Sequence, residues 1–356
     1  MLRALSQYVP ESAANEPEMK VRVSAGSALV LGLGHGRCDV LPTTAYIMCG
    51  DRCVRSCAFC SQGRASHPGR ADLLSRVTWP GHDANSVIQA LGGDVSGHVR
   101  RVCLQAVDAP GVLETVRGLI RSIKSVRPDL PLCVSASAYG IDEVRILLEA
   151  GADCVSLPID AASERVYRLC KSGSYTRIVR LLADSACAFP GRIATHVIVG
   201  LGETEQELAL CFQDMTDAGV GMALFAFTPI RGTAMQHVRA PELSAYRVAQ
   251  AMFYLITRGY AHATEFQYSP AGSLRMFHRP WNETKMLIPP RAFETTGCPD
   301  CNRPYYNERP GDVPYNYPRP LSECEYRQAL ALVHSRLEED EDANALEASG
   351  GRCCTR

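Results

Sequence analysis

From residue 83 to residue 258 the sequence alternates between short β-rich runs and longer stretches of helical period. The β-rich runs are Arg101–Gln105, Leu132–Ser137, Cys154–Ile159, Ala194–Val199 and Met222–Phe227, with a weaker one at Thr264–Tyr268. Around them lie helical candidates at Asp83–Leu91, Gly111–Val126, Ile141–Ala150, Tyr175–Cys187, Glu203–Ala218 and Pro241–Arg258. Within Gly111–Val126, the apolar residues Val112, Val116, Leu119, Ile120 and Ile123 fall on one face of a 3.6-residue period. Gly151 and Gly219 stand where a closing glycine ends a helix, and Pro241 where a helix opens at its first position. Strands alternating with helices are parallel and joined by right-handed crossovers. With Ala45–Met48 as the first strand, this pattern predicts an α/β fold: a full or partial (β/α) barrel of the TIM type, with an open doubly wound sheet as the alternative. The predicted organisation is an N-terminal extension over residues 1–40, a barrel over 41–270, a C-terminal cap over 271–336 and a flexible tail over 337–356. Gly32–Gly36 (GLGHG) lacks phosphate-loop spacing and reads as a turn.

Composition narrows the class. Of 356 residues, 46% are hydrophobic and 21% charged, ordinary for a globular chain. A net charge of −1 gives no electrostatic footprint for nucleic acid or anionic lipid. The apolar stretch Ala25–Leu33 is too short and glycine-broken to span a bilayer, and no leader pattern opens the chain. A cytoplasmic protein is expected, and its 16 cysteines then point to metal rather than disulfides. Cys154, Cys170, Cys187 and Cys211 fall in apolar patterns and read as small buried hydrophobes. Cys324 opens a late helix, and Cys353 and Cys354 lie in a polar tail.

Residues 53–60 read Cys-Val-Arg-Ser-Cys-Ala-Phe-Cys, three thiols spaced C-x3-C-x2-C directly after the first strand. Barrel sites lie at the carboxyl ends of the strands, so topology puts this loop at the mouth. Thiolates are soft ligands for zinc or iron–sulfur clusters. Structural zinc takes four closed ligands, whereas an iron–sulfur cubane held by three cysteines keeps one iron free for a small molecule. A zinc loop, or merely buried thiols, is the alternative reading.

The spacing resembles the signature of the radical S-adenosylmethionine (SAM) enzymes. That resemblance implies a 4Fe–4S cluster on Cys53, Cys57 and Cys60, whose open iron chelates SAM, and one-electron cleavage to a 5′-deoxyadenosyl radical. Phe59 matches the aromatic set beside adenine. Gly200 and Gly202, ending the strand in His196-Val-Ile-Val-Gly-Leu-Gly, are similar to the family's adenine and methionine pocket, where a missing Cβ admits a ligand. Thr228, in Phe-Thr-Pro, is similar to a segment contacting adenine. The family's Gly-Gly-Glu element is absent; Gln105 substitutes for it, while Ser135, Ser137 and Asp160 are candidates to meet the ribose or carboxylate.

A second cysteine site is read in Thr295–Pro320, TTGCPDCNRPYYNERPGDVPYNYPRP. Cys298 and Cys301 make a C-x2-C knuckle in a polar loop, with Cys49 as the nearest further ligand, Cys38 in reserve, and zinc as the alternative occupant. Residues 43–235 resemble the biotin synthase branch of the superfamily, and the 295–320 segment is closer to the biotin synthase-related two-component lipoyl synthases. Biotin synthase holds a sulfur-donating 2Fe–2S cluster with three strand cysteines and an arginine. Cys103 and Cys133 match the first two, the third falls on Ala194, and Ser269–Arg275 replaces the arginine segment.

The resemblance therefore implies a sulfurtransferase, lipoyl synthase-like, inserting sulfur at C6 or C8 of a protein-bound octanoyl chain for lipoate biosynthesis. Its cofactors would be the SAM-binding 4Fe–4S cluster, SAM and a second iron–sulfur cluster. Its partners would be a paralogous radical SAM subunit, an octanoylated lipoyl carrier domain and a low-potential electron donor, with no nucleic acid and no membrane. The loop 302–320, rich in tyrosine and proline, is expected to act as a lid shielding the radical. The competing readings are another radical thiolation, biotin synthase-like, or a rearrangement of a small molecule, and a non-catalytic iron–sulfur or zinc scaffold.

Overall fold

Along strand residues 101–106, Val102 and Leu104 are fully buried in the outer core, while Arg101, Cys103 and Gln105 line a central cavity. This period-two alternation repeats on the neighbouring strands and sets the architecture: an apolar outer face under helices and a polar, thiol-rich inner face. The computed structural model describes residues 19–67, 72–93, 97–308 and 311–350. In chain order its elements are β1 (Lys20–Val23), α1 (Ala25–Val30), β2 (Thr44–Cys49), β3 (Leu73–Leu74), β4 (Val77–Thr78), β5 (Gly81–Asp83), α2 (Ala84–Gly92), β6 (Arg101–Ala106), α3 (Val112–Val126), β7 (Leu132–Ser135), α4 (Ile141–Glu149), β8 (Cys154–Ser156), α5 (Glu164–Cys170), α6 (Tyr175–Ala188), β9 (Ile193–Val199), α7 (Glu205–Asp217), β10 (Gly221–Ala226), α8 (Leu243–Thr257), β11 (Gln267–Tyr268), β12 (Leu274–Met276), α9 (Trp281–Thr284) and α10 (Glu323–Gly350).

The main sheet has eight strands in the order β10-β9-β8-β7-β6-β2-β1-β5. From β2 to β10 every pairing is parallel, so this is the α/β fold with its helices between successive strands. Among the described residues no ladder joins β10 to the far edge, and the partial form of the expected barrel is the one observed. The N-terminal segment contributes β1, which runs antiparallel to β2 and to β5. On α3 the five apolar residues of the predicted face are the buried ones. Gly151 and Gly219 follow their helices with φ of 116° and 71°, and Gly32 turns the GLGHG segment with φ 68°.

Several expectations are corrected. Pro241 precedes the cap Glu242 of α8 rather than opening the helix. Residues Thr264–Tyr268 form a 3-10 turn and the short β11, which pairs with β12 outside the main sheet. Residues 337–350, read as tail for want of a hydrophobic period, continue α10 to Gly350; Cys353 and Cys354 lie outside the described residues.

The open edge of β10 is covered by the segment 294–308, here called the strap. Leu224 N donates to Thr296 Oγ1 at 2.8 Å. Asn307 brackets Ala226, its amide donating to the Ala226 carbonyl at 2.6 Å and its oxygen accepting from Ala226 N at 3.4 Å. On its other side the strap meets β2 and the β3–β4 hairpin: Thr43 N donates to Asn302 Oδ1 at 3.0 Å and Ser75 Oγ to the Tyr306 carbonyl at 2.8 Å. Side chains thus satisfy an edge that would otherwise expose unpaired backbone groups. Gly297 makes the fit possible. Its φ is 113°, and a Cβ there would stand 2.8 Å from Ala223 Cβ. The loop 302–320, expected as a lid, begins in the seam of the barrel.

Candidate metal centre and cavity

The C-x3-C-x2-C loop is held over the carboxyl ends of the strands by backbone bonds to three parts of the barrel. Val54 N donates to the Asp108 carbonyl after β6 (2.7 Å), Ala58 N to the Cys170 carbonyl at the end of α5 (2.8 Å), and Met235 N, beyond β10, to the Ala58 carbonyl (3.1 Å). Arg55 adds an ion pair, its Nε 2.5 Å from the Asp108 carboxylate, whose side chain is only 10% exposed. Asp108 is a positioning residue that no sequence motif singles out.

Cys53, Cys57, Phe59 and Cys60 all line one cavity of about 2220 Å³ running into the barrel. Phe59 also packs against the buried cluster that includes Tyr167, Cys170 and Phe227. Burial pushes the Cys57 thiol up to about 11 and the Cys60 thiol to about 12, so these groups hold their protons until a metal displaces them. A zinc ion at about 2.3 Å from each sulfur draws its ligands to about 3.8 Å of one another. Among the described residues these three sulfurs are not gathered within 4.8 Å, as another trio is. Three soft donors around one shared cavity suit a thiophilic metal cluster.

Below the mouth, Asp160 follows β8 in a left-handed conformation with φ 60°. Its side chain is 8% exposed, and the carboxylate lies 2.5 Å from Lys171 Nζ and 2.7 Å from His196 Nε2. Against the penalty of burial, Lys171 and then His196 hold this carboxyl well below the usual range. The His196 ring meets Phe225 edge-on at 5.3 Å, and Phe225 meets Tyr306 of the strap at 5.2 Å. Gln105, Ser135, Ser137 and Thr228 also line the cavity; Gln105 Nε2 donates to Cys103 Sγ at 3.0 Å, and Thr228 Oγ1 accepts from Asn307 Nδ2 at 3.0 Å.

Three expected site residues, Gly200, Gly202 and Cys49, lie elsewhere. Gly200 is backed by Pro241, whose Cδ would stand 2.8 Å from an added Cβ. Its N–H and that of Leu201 donate to the Glu203 carboxylate. The glycine serves chain packing rather than ligand approach, and neither it nor Gly202 lines the cavity. Cys49 is 1% exposed among the outer core residues. On β2 the cavity is lined by Tyr46 and Met48, so strand alternation turns Cys49 away from Cys298 and Cys301. The reserve candidate Cys38 donates to the Val40 carbonyl at 2.8 Å.

The cysteines that do converge lie deeper. Cys133, Cys154 and Cys298 have their sulfurs within 4.8 Å of one another. Cys103, Cys133 and Cys154 are register partners on β6, β7 and β8, so they share one face. The apolar reading of Cys154 missed this, because strand register is not visible in a single run. Mutual hydrogen bonding with Cys133 and Cys154 holds the Cys298 thiol well below its ordinary range, and the same sharing pushes Cys154 up. Ala194, where a third biotin-synthase-type ligand would stand, also lines the cavity.

Residues 47–215 match the family model of the radical SAM superfamily. The biotin synthase of Cutibacterium acnes (strain DSM 16379 / KPA171202) is 28% identical over 216 residues, 56% of this chain and 56% of that protein. The chloroplastic lipoyl synthase of Arabidopsis thaliana is 22% identical over 253 residues, 67% of this chain and 58% of that one. The lipoyl synthase of Polaromonas naphthalenivorans (strain CJ2) is 26% identical over 196 residues, 52% and 55%. The chain thus spans little more than half the length of these curated relatives. Among solved structures, methylornithine synthase (PylB) aligns at a TM-score of 0.49 and 17% identity, covering 60% of this chain and 62% of that one.

Proposed function

This chain carries a radical SAM domain, consistent with the biotin synthase-related branch of that superfamily, and from that premise we propose that it inserts sulfur at C6 or C8 of a protein-bound octanoyl chain. The observation that carries this reading is that Cys53, Cys57 and Cys60 line one large cavity running into the barrel. When bound, the 4Fe–4S cluster with SAM supplies a carbon-centred radical, a reactivity that no positioned acid or base can give toward an unactivated C–H bond. The residues of the chain bind, orient and shield. Phe59 offers an aromatic edge beside the thiols, and Asp160, Ser135 and Ser137 offer acceptors below them. The strap narrows the seam, with Tyr306 half-buried against Phe225. Ala194 in place of a third biotin-synthase-type cysteine, together with the resemblance of the 295–320 segment, favours lipoyl over biotin chemistry. A paralogous subunit, an octanoylated carrier domain and a low-potential electron donor complete the proposed system.

The test is incubation of the anaerobically reconstituted protein with SAM, dithionite and an octanoyl-lysyl peptide, with and without the paralogue. A peptide mass gain corresponding to sulfur is expected. Formation of methionine and 5′-deoxyadenosine with an unchanged peptide, even beside the paralogue, overturns the lipoyl assignment.

A further inference from the structure

The β3–β4 hairpin stands outside the main sheet and bridges two parts of the cavity wall. At one end Ser61 Oγ and Gln62 Nε2, directly after the cysteine loop, donate to the Leu73 carbonyl at 2.6 and 2.7 Å. At the other, Ser75 Oγ donates to the Tyr306 carbonyl at 2.8 Å and Arg76 Nε to the Asn307 carbonyl at 3.1 Å, both on the strap. Ser75 makes the turn between the two strands with φ 53°. The apolar residues of the hairpin do not join the outer core. Leu74 and Val77, both half-buried, pack with Tyr46 and Cys53 against the buried Met48 and Trp79 in a cluster of their own. Every one of these side chains lines the cavity. The cluster reaches the strap at Tyr46, whose hydroxyl lies 3.2 Å from Cys301 Sγ.

The cavity is thus divided by polarity. The ion-paired group of Asp160, Lys171 and His196 lines it from β8 and β9, whereas β2 and the hairpin line it with hydrocarbon next to Cys53. Phe59, in the same loop, packs into a different apolar cluster with Tyr167 and Phe227. A hydrocarbon surface inside a cavity rewards a ligand for the apolar area it removes from water and offers nothing to a polar one. We propose that the β3–β4 hairpin and the inner face of β2 form an acyl-chain subsite, an apolar wall that holds an unbranched aliphatic chain beside the C-x3-C-x2-C loop. The occupant is the alkyl part of the acylated substrate, and this assignment rests on the protein-bound octanoyl reading. To that reading it adds the residues that select the chain: Leu74 and Val77 meet it, and Met48 and Trp79 back them.

The test uses the anaerobically reconstituted full chain with SAM and without reductant, so that no turnover consumes the probe. Dye-labelled lysyl peptides carrying butanoyl, hexanoyl or octanoyl chains are titrated, and binding is followed by fluorescence anisotropy. Affinity is expected to rise about fourfold for each added methylene. Leu74→Asn and Val77→Asn are expected to flatten this dependence while leaving the butanoyl peptide nearly unaffected, a split that general misfolding does not produce. Since a hairpin variant could still misfold, the unaltered chain is also labelled by a lysyl peptide whose octanoyl-length chain ends in a diazirine. Label on Tyr46, Met48 or residues 73–79 supports the subsite. No binding of any acyl peptide, an affinity independent of chain length, or label confined to other segments overturns it. Thiolation is measured separately with dithionite. A peptide that labels the hairpin but gains no sulfur refutes the lipoyl reading and leaves the subsite standing, whereas a thiolated peptide whose label avoids the hairpin refutes the subsite alone.

Discussion

Asp160 is the most heavily constrained single residue in the cavity. It combines a left-handed backbone, near-complete burial and two close partners, the Lys171 ammonium and the His196 ring. Removing one partner of a buried ion pair leaves an uncompensated charge, which costs about 3–5 kcal/mol. Lys171→Met should therefore be strongly destabilising in chemical denaturation, while the double change Lys171→Met, Asp160→Asn should recover much of that loss. If the double variant is as unstable as the single one, the charge argument fails and packing is the cause. Gly297 sets a second constraint of this scale. Gly297→Ala meets Ala223 and an unfavourable φ together, so a loss of about 1–3 kcal/mol is expected in thermal unfolding. Cys49 offers a contrast: it faces the outer core, and Cys49→Ala should leave the bound metal count unchanged.

At the scale of elements, α8 holds the continuation of the strap. Arg247 is fully buried there. Its guanidinium donates to Gln250 Oε1 at 2.6 Å and to the carbonyls of Pro314 and Tyr315 at 2.6 and 2.5 Å. It also lies over the rings of Phe293 and Tyr317 at 5.6 and 5.1 Å. Arg247→Met keeps much of the apolar stem but takes the donor from the Pro314 carbonyl and Gln250 Oε1, while the Tyr315 carbonyl keeps its bond from Gln250 Nε2 at 3.0 Å; the cost is about 1–3 kcal/mol for each group left buried and unsatisfied. Faster proteolysis within 294–320 than at other sites is the expected readout; uniform destabilisation would show instead that α8 does not hold this segment specifically. The longer helices α2, α3, α4, α6, α7 and α8 were readable in the sequence, whereas the short α1, α5 and α9 were not. The apolar face of α3 emerges from its 3.6-residue period, and Asp83 caps α2 by accepting from Ser86 N at 2.8 Å. The strap was not readable. Its contacts reach residues some 80 to 260 positions away in sequence, and nothing in a Pro- and Tyr-rich run distinguishes a seam filler from a lid.

Across the whole molecule, acid stability follows from carboxylates paired in the fold. Against partial burial, Arg165 and capping contacts hold Glu207 at about 2, and Arg319 holds Glu325 at about 2, both below the ordinary value of 4.5. A depressed carboxylate stabilises the fold fully above its unfolded value and loses that contribution as pH falls from about 4.5 toward about 2. Stability should decline over this window, and Glu207→Gln should make the decline shallower in a series of unfolding curves. An unchanged slope would mean that solvent screening removes the effect of the Arg165 pair.

The sequence by itself determined the parallel α/β alternation, the placement of the C-x3-C-x2-C loop after the first strand, and its resemblance to radical SAM chemistry. These are local patterns, written in periods of 2 and 3.6 residues and in the spacing of one short loop. Only the tertiary structure decided which other cysteines meet, that Gly200 packs on Pro241, and that the strap closes the seam. Each of these depends on strand register and on contacts between distant segments. A shift of one residue in a strand would turn Cys133 or Cys154 from the cavity to the outer core.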